Sequence, residues 1–342
     1  GMDIMNDRRQ SRLWMINADG SDHQKLTNND VSESNPRWSP SGDRIVFTSS
    51  TDQGSEVFMY WINSGKTARI SQLDRSPSGI SWSSDGQQLA FTMVVPDPEP
   101  CLVKPPAKPK GAKWAPRPKV ITRLKHEADG SGYLEPGYRH VFVLDAVGGT
   151  ARQVTFGSFH HDGTPQWASE NQRLIVGGNR SENWEMEFRN SELYAIDLNG
   201  GDIKALTDRK GPDQSAMASF DGRRVAYVGY DDRVQTYQLT KLFVMNIDGT
   251  EKSEIVTGLD RSVSAPTWSA DGKYLFFQYD EYGNTKIGKV PLAGKSEKIA
   301  DNLGGTSVAR PYGGGSFTVS TNGTIAFTQT TPYYPSELAL IG

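Results

Sequence analysis

The chain has 342 residues, a net charge of -3, 23% charged residues and one cysteine. The near-zero charge argues against a nucleic-acid-binding surface, which carries a strong basic excess, and one cysteine cannot form an internal disulfide. No apolar run reaches the roughly 18 residues of a membrane span. The first ten residues are polar, so we expect no signal peptide and a cytoplasmic protein. A periplasmic location is the alternative, if a signal peptide has been removed.

A short string recurs along the chain. Its template is Pro-x-Trp-Ser-x-Asp-Gly, followed by an alternating apolar strand. In chain order, the tryptophan position of this first template falls at Trp38, Trp82, Trp167, Ala218, Trp268 and Val319. The copies at Ala218 and Val319 are degenerate. Successive positions lie 44, 85, 51, 50 and 51 residues apart, so the chain is a repeat with one irregular spacing.

A second template follows each copy of the first: an alternating strand, a glycine turn, and a strand that ends in Leu-Thr or a similar pair. Its copies are RLWMINADGSDHQKLT (12–27), EVFMYWINSGKTARIS (56–71), HVFVLDAVGGTARQVT (140–155), ELYAIDLNGGDIKALT (192–207), KLFVMNIDGTEKSEIV (241–256) and KIGKVPLAGKSEKIA (286–300). The string ELALIG (337–342) opens a last copy.

The two templates together predict four short antiparallel strands in each repeat. Alternating β-branched and aromatic residues predict the strands, and Asp-Gly or Gly-Gly supplies the positive φ angles of tight hairpins. One such sheet cannot bury both of its faces, but radial stacking lets each sheet cover its neighbour, with Trp and Phe filling the gap. A four-stranded repeat of about 45 residues is typical of a β-propeller blade. We predict an all-β chain that forms a single β-propeller domain over residues 1–342.

The number of blades depends on how the two ends are counted. The first template opens six blades and the second opens seven. Residues 12–27 have no first template before them, and the copy that begins at Glu337 has no outer strand. Both ends supply the strand that opens the second template, which is the third strand of a blade. A single blade made from the two ends would therefore have one strand too many. We predict five complete four-stranded blades from a seven-bladed parent, with incomplete first and last blades. A six-bladed ring closed by the two ends is the alternative.

The irregular spacing of 85 residues contains an insertion, at about residues 93–139. It is rich in proline and basic residues, and proline precludes a regular strand or helix. Two interpretations stay open. The insertion is an exposed, partly disordered loop, or it is an arm that packs on another domain or rims a binding site.

The order of these motifs resembles that of two propeller groups. One is the non-catalytic domain of the prolyl oligopeptidase family, notably its acylaminoacyl-peptidase and dipeptidyl-peptidase branches, and the other is TolB, a periplasmic propeller. Three stretches favour the peptidase. Residues 116–145 resemble the blade that follows a proline-rich insertion, residues 177–197 resemble the long loop of the next blade, and PYYPSELALIG (332–342) resembles the last propeller strand.

The resemblance implies a parent serine peptidase, with a Ser-Asp-His triad on a C-terminal α/β-hydrolase domain. The propeller would cap that domain and restrict access to short peptides. The hydrolase domain is absent from these 342 residues, and no Gly-x-Ser-x-Gly nucleophile motif occurs. The nearest string, residues 305–309, places Ser307 in a glycine-rich loop with no helix pattern after it. We therefore expect this chain to be inactive alone.

The resemblance also implies a candidate for substrate binding. Some exopeptidases of the family hold the free amine of the peptide with paired glutamates of the propeller. Glu185 and Glu187, in the string NWEMEF, are the candidates here, although Met186 separates them. If this segment is a strand, both side chains point to the same face. The alternative is a solvated acidic loop. For Trp184 we expect packing between blades rather than a place in the pocket.

Other polar strings are weaker candidates for a functional site. His160, His161 and Asp162 would suit a metal, but no other ligand pattern supports it, and a polar loop with a turn-forming Asp-Gly is favoured. Arg310 lies in a glycine-rich loop and is a candidate for the channel or a domain interface. The triplets at 179–181 and 322–324 match the glycosylation acceptor pattern, which is common by chance. We find no cofactor or metal motif.

Two alternatives to the peptidase propeller stay open. The first is a TolB-like propeller that acts as a protein-binding scaffold. The second, a sugar-degrading or lactonase propeller, requires inward-facing histidines or carboxylates that converge on a metal, which this repeat does not show.

Overall fold

The computed structural model describes residues 2–5, 7–52, 54–97, 106–115, 119–168, 170–305 and 314–342. Within these ranges every regular element is a β-strand, which confirms the prediction of an all-β chain. The described residues include no helix long and apolar enough to cross a membrane.

Two small antiparallel pairs come first: β1 (Met2–Asp3) with β2 (Arg8–Arg9), and β3 (Trp14–Met15) with β4 (Gln24–Lys25). Sheet 1 then contains β5 (Glu33–Trp38), β6 (Arg44–Thr51), β7 (Gly54–Trp61) and β8 (Lys66–Arg69). Sheet 2 begins with β9 (Ser78–Trp82) and β10 (Gln88–Pro96), and ends, after the small hairpin of β11 (Glu127–Ala128) and β12 (Gly132–Tyr133), with β13 (Gly137–Asp145) and β14 (Arg152–Gln153).

Three more four-stranded antiparallel sheets follow in the same order. Sheet 3 contains β15 (His160–Ala168), β16 (Arg173–Asn179), β17 (Glu192–Asp197) and β18 (Ile203–Ala205). Sheet 4 contains β19 (Asp213–Ala218), β20 (Arg224–Gly229), β21 (Lys241–Asn246) and β22 (Ser253–Ile255). Sheet 5 contains β23 (Val263–Trp268), β24 (Tyr274–Glu281), β25 (Asn284–Pro291) and β26 (Glu297–Leu303).

The last three strands are β27 (Phe317–Val319), β28 (Ile325–Thr331) and β29 (Tyr334–Ile341). They pair with each other and touch sheet 5 through the pair of Leu303 and Gln329. We call β27–β29 sheet 6. Sheets 1 to 5 have the four antiparallel strands that the two templates predict.

The insertion is shorter than the sequence predicts. Strands β10 and β13 pair continuously as far as Pro96 and Gly137, so residues 93–96 and 137–139 belong to sheet 2. The excursion therefore spans residues 97–136. The strand pairing reaches the first proline of the insertion because Pro96 is the last residue of its strand, where a missing N–H costs little.

The core lies in layers between successive sheets. Alternate side chains of one strand enter different layers: Leu89 and Phe91 pack toward sheet 1, whereas Ala90 packs toward sheet 3. All three are fully buried. Because the middle strands bury both faces, they contain runs of consecutive apolar residues, such as residues 45–47 of β6 and 89–91 of β10, and not only an apolar residue at every second position.

The first strands of the six sheets contact one another in chain order, from β5 through β9, β15, β19 and β23 to β27. The fourth strands are the more exposed ones in sheets 1 to 3, and all four residues of β8 face solvent. The first template therefore forms the inner part of each sheet and the second template forms the outer part.

The recurring tryptophan joins neighbouring sheets. The indole N–H of Trp82 donates to the backbone oxygen of Arg37, one sheet earlier, at 3.1 Å. Trp268 does the same to Met217 at 3.0 Å and is 1% exposed. The predicted role of tryptophan between sheets is confirmed at these positions. Trp38, in sheet 1, is 52% exposed.

The Ser-x-Asp-Gly string forms the turn between the first two strands. In sheet 5, the Ser269 hydroxyl donates to the Asp271 carboxylate at 2.7 Å and accepts the N–H of Tyr274 at 3.0 Å. Gly272 adopts a φ of 67°, which an L-residue rarely adopts. The repeat therefore conserves the chemistry of one turn.

The Leu-Thr ending of the second template has a physical reason as well. The hydroxyl of Thr155 accepts the buried N–H of Val141 at 2.9 Å, and Thr207 accepts that of Leu193 at 2.9 Å. In both of these sheets the fourth strand has ended at this point, so a side-chain oxygen replaces the missing backbone acceptor.

Each inner strand of sheets 1 to 5 contains a register shift. At the shift one residue adopts a left-handed φ: Asn35, Gly79, Gly163, Ser215 and Ala265. Such β-bulges increase the twist of a strand. A Cβ on Gly79 would lie 2.8 Å from the oxygen of Gly163, so adjacent bulges come close together.

Ala265→Gly removes left-handed strain of about 1–2 kcal/mol and costs about 0.4–1 kcal/mol in unfolded-state entropy. We expect an unchanged free energy of unfolding or a gain of up to about 1 kcal/mol, measured by chemical denaturation. Gly79→Ala adds strain and a clash and should cost about 2 kcal/mol or more. Ala205→Gly, at an exposed strand position, is the control and should cost about 0.5–1 kcal/mol. An equal loss for Ala265→Gly and Ala205→Gly would contradict the strain argument.

Thr155→Val keeps the shape of the side chain but leaves the N–H of Val141 without an acceptor. We expect the free energy of unfolding to fall by about 1–3 kcal/mol in a denaturation titration. Thr155→Ser keeps the hydroxyl and should lose less. If the serine variant is as unstable as the valine variant, packing of the methyl group and not the hydrogen bond is what the threonine supplies.

Candidate functional site

Two long connections leave the sheets at one face of the protein. Residues 97–136 join the second and third strands of sheet 2, and residues 180–191 join the same strands of sheet 3. Equivalent connections of adjacent antiparallel sheets leave at the same face. The two meet in a shallow groove of about 310 Å³, which is lined by Leu124 and residues 182–186.

The segment that carries Glu185 and Glu187 is a turn and not a strand. The backbone oxygen of Asn183 accepts the N–H groups of both Met186 and Glu187 at 2.9 Å. The side chain of Asn179 donates to the backbone oxygen of Glu187 at 2.7 Å and closes the loop. The two carboxylates therefore do not share a strand face, since that geometry requires extended backbone.

The two glutamates differ in their surroundings. Glu185 is partly buried, lines the groove, and its Oε1 is enclosed without a hydrogen-bond partner among the described residues. Glu187 is exposed. Of the two, Glu185 is the better candidate to accept a hydrogen bond from a ligand, because an enclosed carboxylate oxygen without a hydrogen-bond donor destabilises the folded protein.

Trp184 fixes this loop to the two sheets below it. Its ring lies 5.1 Å from that of His160 and 6.3 Å from that of Tyr138, both in edge-on geometry. The guanidinium of Arg123, from the long connection of sheet 2, lies 4.1 Å from the centre of the Tyr138 ring. Trp184 thus packs between sheets, as expected, and also lines the groove.

The string His160–Asp162 lies on a strand, so its interpretation as a polar loop is wrong. His160 pairs with Asn179 and His161 with Gly178 in the register of β15 and β16. The Asp-Gly turn signal instead marks the bulge, where Gly163 has a φ of 86°. The side chain of His161 is fully buried.

The hydrogen bonds of His161 assign its tautomer. Nη1 of Arg180 lies 3.1 Å from Nε2, and a guanidinium can only donate, so Nε2 is the acceptor. The proton therefore lies on Nδ1, which donates to the backbone oxygen of Arg139 at 3.3 Å. The ring of His140, from sheet 2, lies 5.7 Å away.

Burial keeps all three histidines neutral at pH 7. Burial lowers the pKa of His161 to about 4, and the charge of Arg180 acts in the same direction. Burial also lowers the pKa of His140 and of His160. At His160 the charge of Asp162 opposes burial, whereas nearby cations support it.

This cluster of neutral imidazoles, arginines and aromatic rings can offer a ligand hydrogen bonds, positive charge and apolar surface. Arg139 forms an ion pair with Asp162 at 2.5 Å, and Arg123 with Asp97 at 3.2 Å. Among the described residues no group of three His, Cys, Asp or Glu side chains is placed to hold a metal. The near-miss serine, Ser307, lies outside the described residues, as do Arg310 and Cys101.

Sequence reasoning missed His140 and Arg180. His140 takes the leading position of the second template, where sheets 1 and 3 have Glu56 and Glu192, so aligning the templates singles it out. Arg180 was noted only as the middle of a glycosylation triplet. In the structure the side chain of Asn179, the first residue of that triplet, is hydrogen-bonded: its Oδ1 accepts the N–H of Ser181 at 3.1 Å.

His161 makes stability depend on pH. Its pKa is about 4 when folded and about 6.5 when unfolded, so the unfolded state binds more protons between these values. The stabilisation is complete above pH 6.5, and about 3 kcal/mol is lost as the pH falls to about 4. We expect His161→Gln to flatten this dependence when unfolding is followed by denaturant titration from pH 7 to pH 4.

The control is His23→Gln, at an exposed position, which should keep the slope of the unchanged protein. Glu192 acts in the opposite direction, because burial raises its pKa to about 7 and its stabilisation is lost as the pH rises. Its effect is common to all three proteins and cancels in the comparison. An equal slope for His161→Gln and the unchanged protein would exclude His161 as the cause.

No family model matches the chain. It is 22% identical to dipeptidyl-peptidase 5 of Porphyromonas gingivalis over 324 residues. The aligned region covers 87% of this chain and 44% of that protein. The chain thus spans less than half of that relative.

Solved structures resemble the chain over nearly its whole length. Acylaminoacyl peptidase of Pyrococcus horikoshii matches 95% of it with a TM-score of 0.67 and 16% identity, over 45% of that chain. The β-propeller domain of the Trilobed protease from Pyrococcus furiosus, described as having an open velcro topology, matches 99% with a TM-score of 0.64 and 15% identity, over 87% of that chain.

TolB of Acinetobacter baumannii matches 82% of the chain and 57% of its own, with a TM-score of 0.53 and 16% identity. These likenesses show the β-propeller fold. The chain is similar in sequence to dipeptidyl-peptidase 5, and it shares the β-propeller fold with acylaminoacyl peptidase and the Trilobed protease domain. The resemblance to the propeller of prolyl oligopeptidase-family peptidases is thus confirmed.

Proposed function

We propose that this chain is the non-catalytic propeller of a serine peptidase, and that it controls the access of short peptides to a C-terminal α/β-hydrolase domain. The observation that carries the proposal is the face where two long connections, a groove and a partly buried polar cluster come together. Its sequence similarity to a dipeptidyl-peptidase supports a peptidase over other propeller functions. Long loops on a rigid scaffold are where binding residues concentrate.

We infer a seven-bladed parent for the fold. Sheets 1 to 5 would be its complete blades, with the pair of β3 and β4 and sheet 6 as the incomplete ones. Both β3 and β29 begin the second template, which supports separate blades at the two ends. A ring of six blades, closed by β3, β4 and sheet 6, is the alternative.

Glu185 and Glu187 are proposed to hold the free amine of the peptide. The enclosed Oε1 of Glu185, which has no hydrogen-bond partner in the described part of the chain, supports this role, and Trp184 provides an apolar wall beside it. An ammonium would give this oxygen a donor. Glu187 would then add charge from the exposed rim.

The alternative is a protein-binding scaffold similar to TolB. The likeness to a TolB structure supports it, and such a propeller would use the same face for a protein partner. It predicts no hydrolysis and no requirement for a hydrolase domain.

The test is a hydrolysis assay of the full-length protein, with everything that its gene encodes after residue 342. We expect cleavage of dipeptidyl or acyl-amino-acid chromogenic substrates by the full-length protein and none by residues 1–342. A full-length protein that cleaves neither substrate, or a gene that ends at this point, would exclude the peptidase function and favour the scaffold.

Glu185→Gln in the active full-length protein should raise KM for substrates with a free amino end by about 10–100-fold, since a charge-assisted hydrogen bond is lost. Glu187→Gln should have a smaller effect. Glu254→Gln, on the outer strand β22, is the matched control and should leave KM unchanged. Equal KM values for Glu185→Gln and the control would exclude amine binding at this loop.

A further inference from the structure

Arg180 begins the loop that carries the two glutamates, and its guanidinium is enclosed on several sides. Nη1 donates to Nε2 of His161 at 3.1 Å. The guanidinium carbon lies 4.8 Å from the centre of the Phe159 ring and 5.7 Å from that of Tyr194. Arg180 is partly buried, so it is held between these three side chains and not free in solvent.

The charge of Arg180 has no carboxylate partner in the described part of the chain. Other arginines on this face do: Arg139 pairs with Asp162 and Arg123 with Asp97. The bond to His161 is the one hydrogen bond that the described residues provide for its guanidinium. The remaining N–H groups have no acceptor among the described residues. A partly buried cation without a counterion is costly.

The partner that Arg180 has is a neutral one. His161 is fully buried and accepts from Arg180, so it orients the guanidinium without neutralising it. The aromatic rings of Phe159 and Tyr194 stabilise a cation through their faces but carry no negative charge at pH 7 that would neutralise it. A planar donor fork that is oriented, shielded and uncompensated matches the geometry of a carboxylate, which accepts two parallel hydrogen bonds.

We propose that Arg180 binds a carboxylate of the peptide substrate, with His161 as the residue that positions it. This inference rests on the proposed function, because it names the substrate class of that site as short peptides that carry a carboxylate. Glu185 and Arg180 lie five residues apart in one loop, with opposite charges. A peptide with a free amine and a carboxylate complements both.

The test uses residues 1–342 and two probes, trialanine and its C-terminal amide, in calorimetric titrations. We expect the acid to bind about tenfold or more tightly than the amide. Arg180→Gln should abolish this preference, and Arg180→Lys should keep only part of it, because an ammonium cannot form the bidentate pair. Arg69→Gln, at an exposed position of β8, is the matched control and should keep the full preference.

The role of His161 has its own readout. His161→Gln retains an oxygen that accepts from Nη1, and should keep the preference for the acid. His161→Phe removes the acceptor and should reduce the preference, while binding of the amide stays unchanged. A parallel loss for acid and amide in His161→Phe would mean a merely structural role.

Three outcomes would overturn the proposal: equal binding of acid and amide, a preference that survives Arg180→Gln, or no binding of either probe at millimolar concentration. Inorganic phosphate is titrated alongside, and tighter binding of phosphate than of trialanine would also overturn it. A preference for the acid in residues 1–342, with no hydrolysis by the full-length protein, would exclude the peptidase function alone and leave the carboxylate site in place.

Discussion

The structure depends on one constraint: a four-stranded sheet with two apolar faces cannot be covered by its own strands. Each sheet therefore needs a neighbour on both sides, and the core becomes a series of layers between sheets. Side chains such as Phe91 and Ala90, adjacent in sequence, belong to different layers. Stability is thus shared between consecutive repeats, as in other repeat architectures.

Polar groups adjust this stacking at fixed positions. The indole of Trp268 donates to the preceding inner strand, and the left-handed residue of each inner strand, such as Ala265, bends the backbone where neighbouring strands approach. Thr155 and its equivalents in sheets 1 and 3 satisfy the amide that remains where the outer strand ends. These contacts specify the register between sheets, whereas the apolar layers supply most of the free energy.

The candidate site follows from the same geometry. The face that receives the second-to-third connections also receives the start of each inner strand, so His160 and His161 of sheet 3 lie beside the long connection of sheet 2. Burial keeps these imidazoles neutral, and a neutral His161 leaves the charge of Arg180 uncompensated. The fold thus places one oriented cation and one enclosed carboxylate, that of Glu185, in the same short loop.

The sequence by itself determined the strands, the turns and the repeat, because these depend on local periodicity and on residues such as Gly272 that permit one backbone conformation. It also singled out the loop of Glu185 and Glu187. Only the tertiary structure decided that this loop is a turn, that His161 is buried on a strand, and that it meets Arg180. Those contacts depend on the register between strands and on the stacking of two sheets, which alternation along a single strand does not encode.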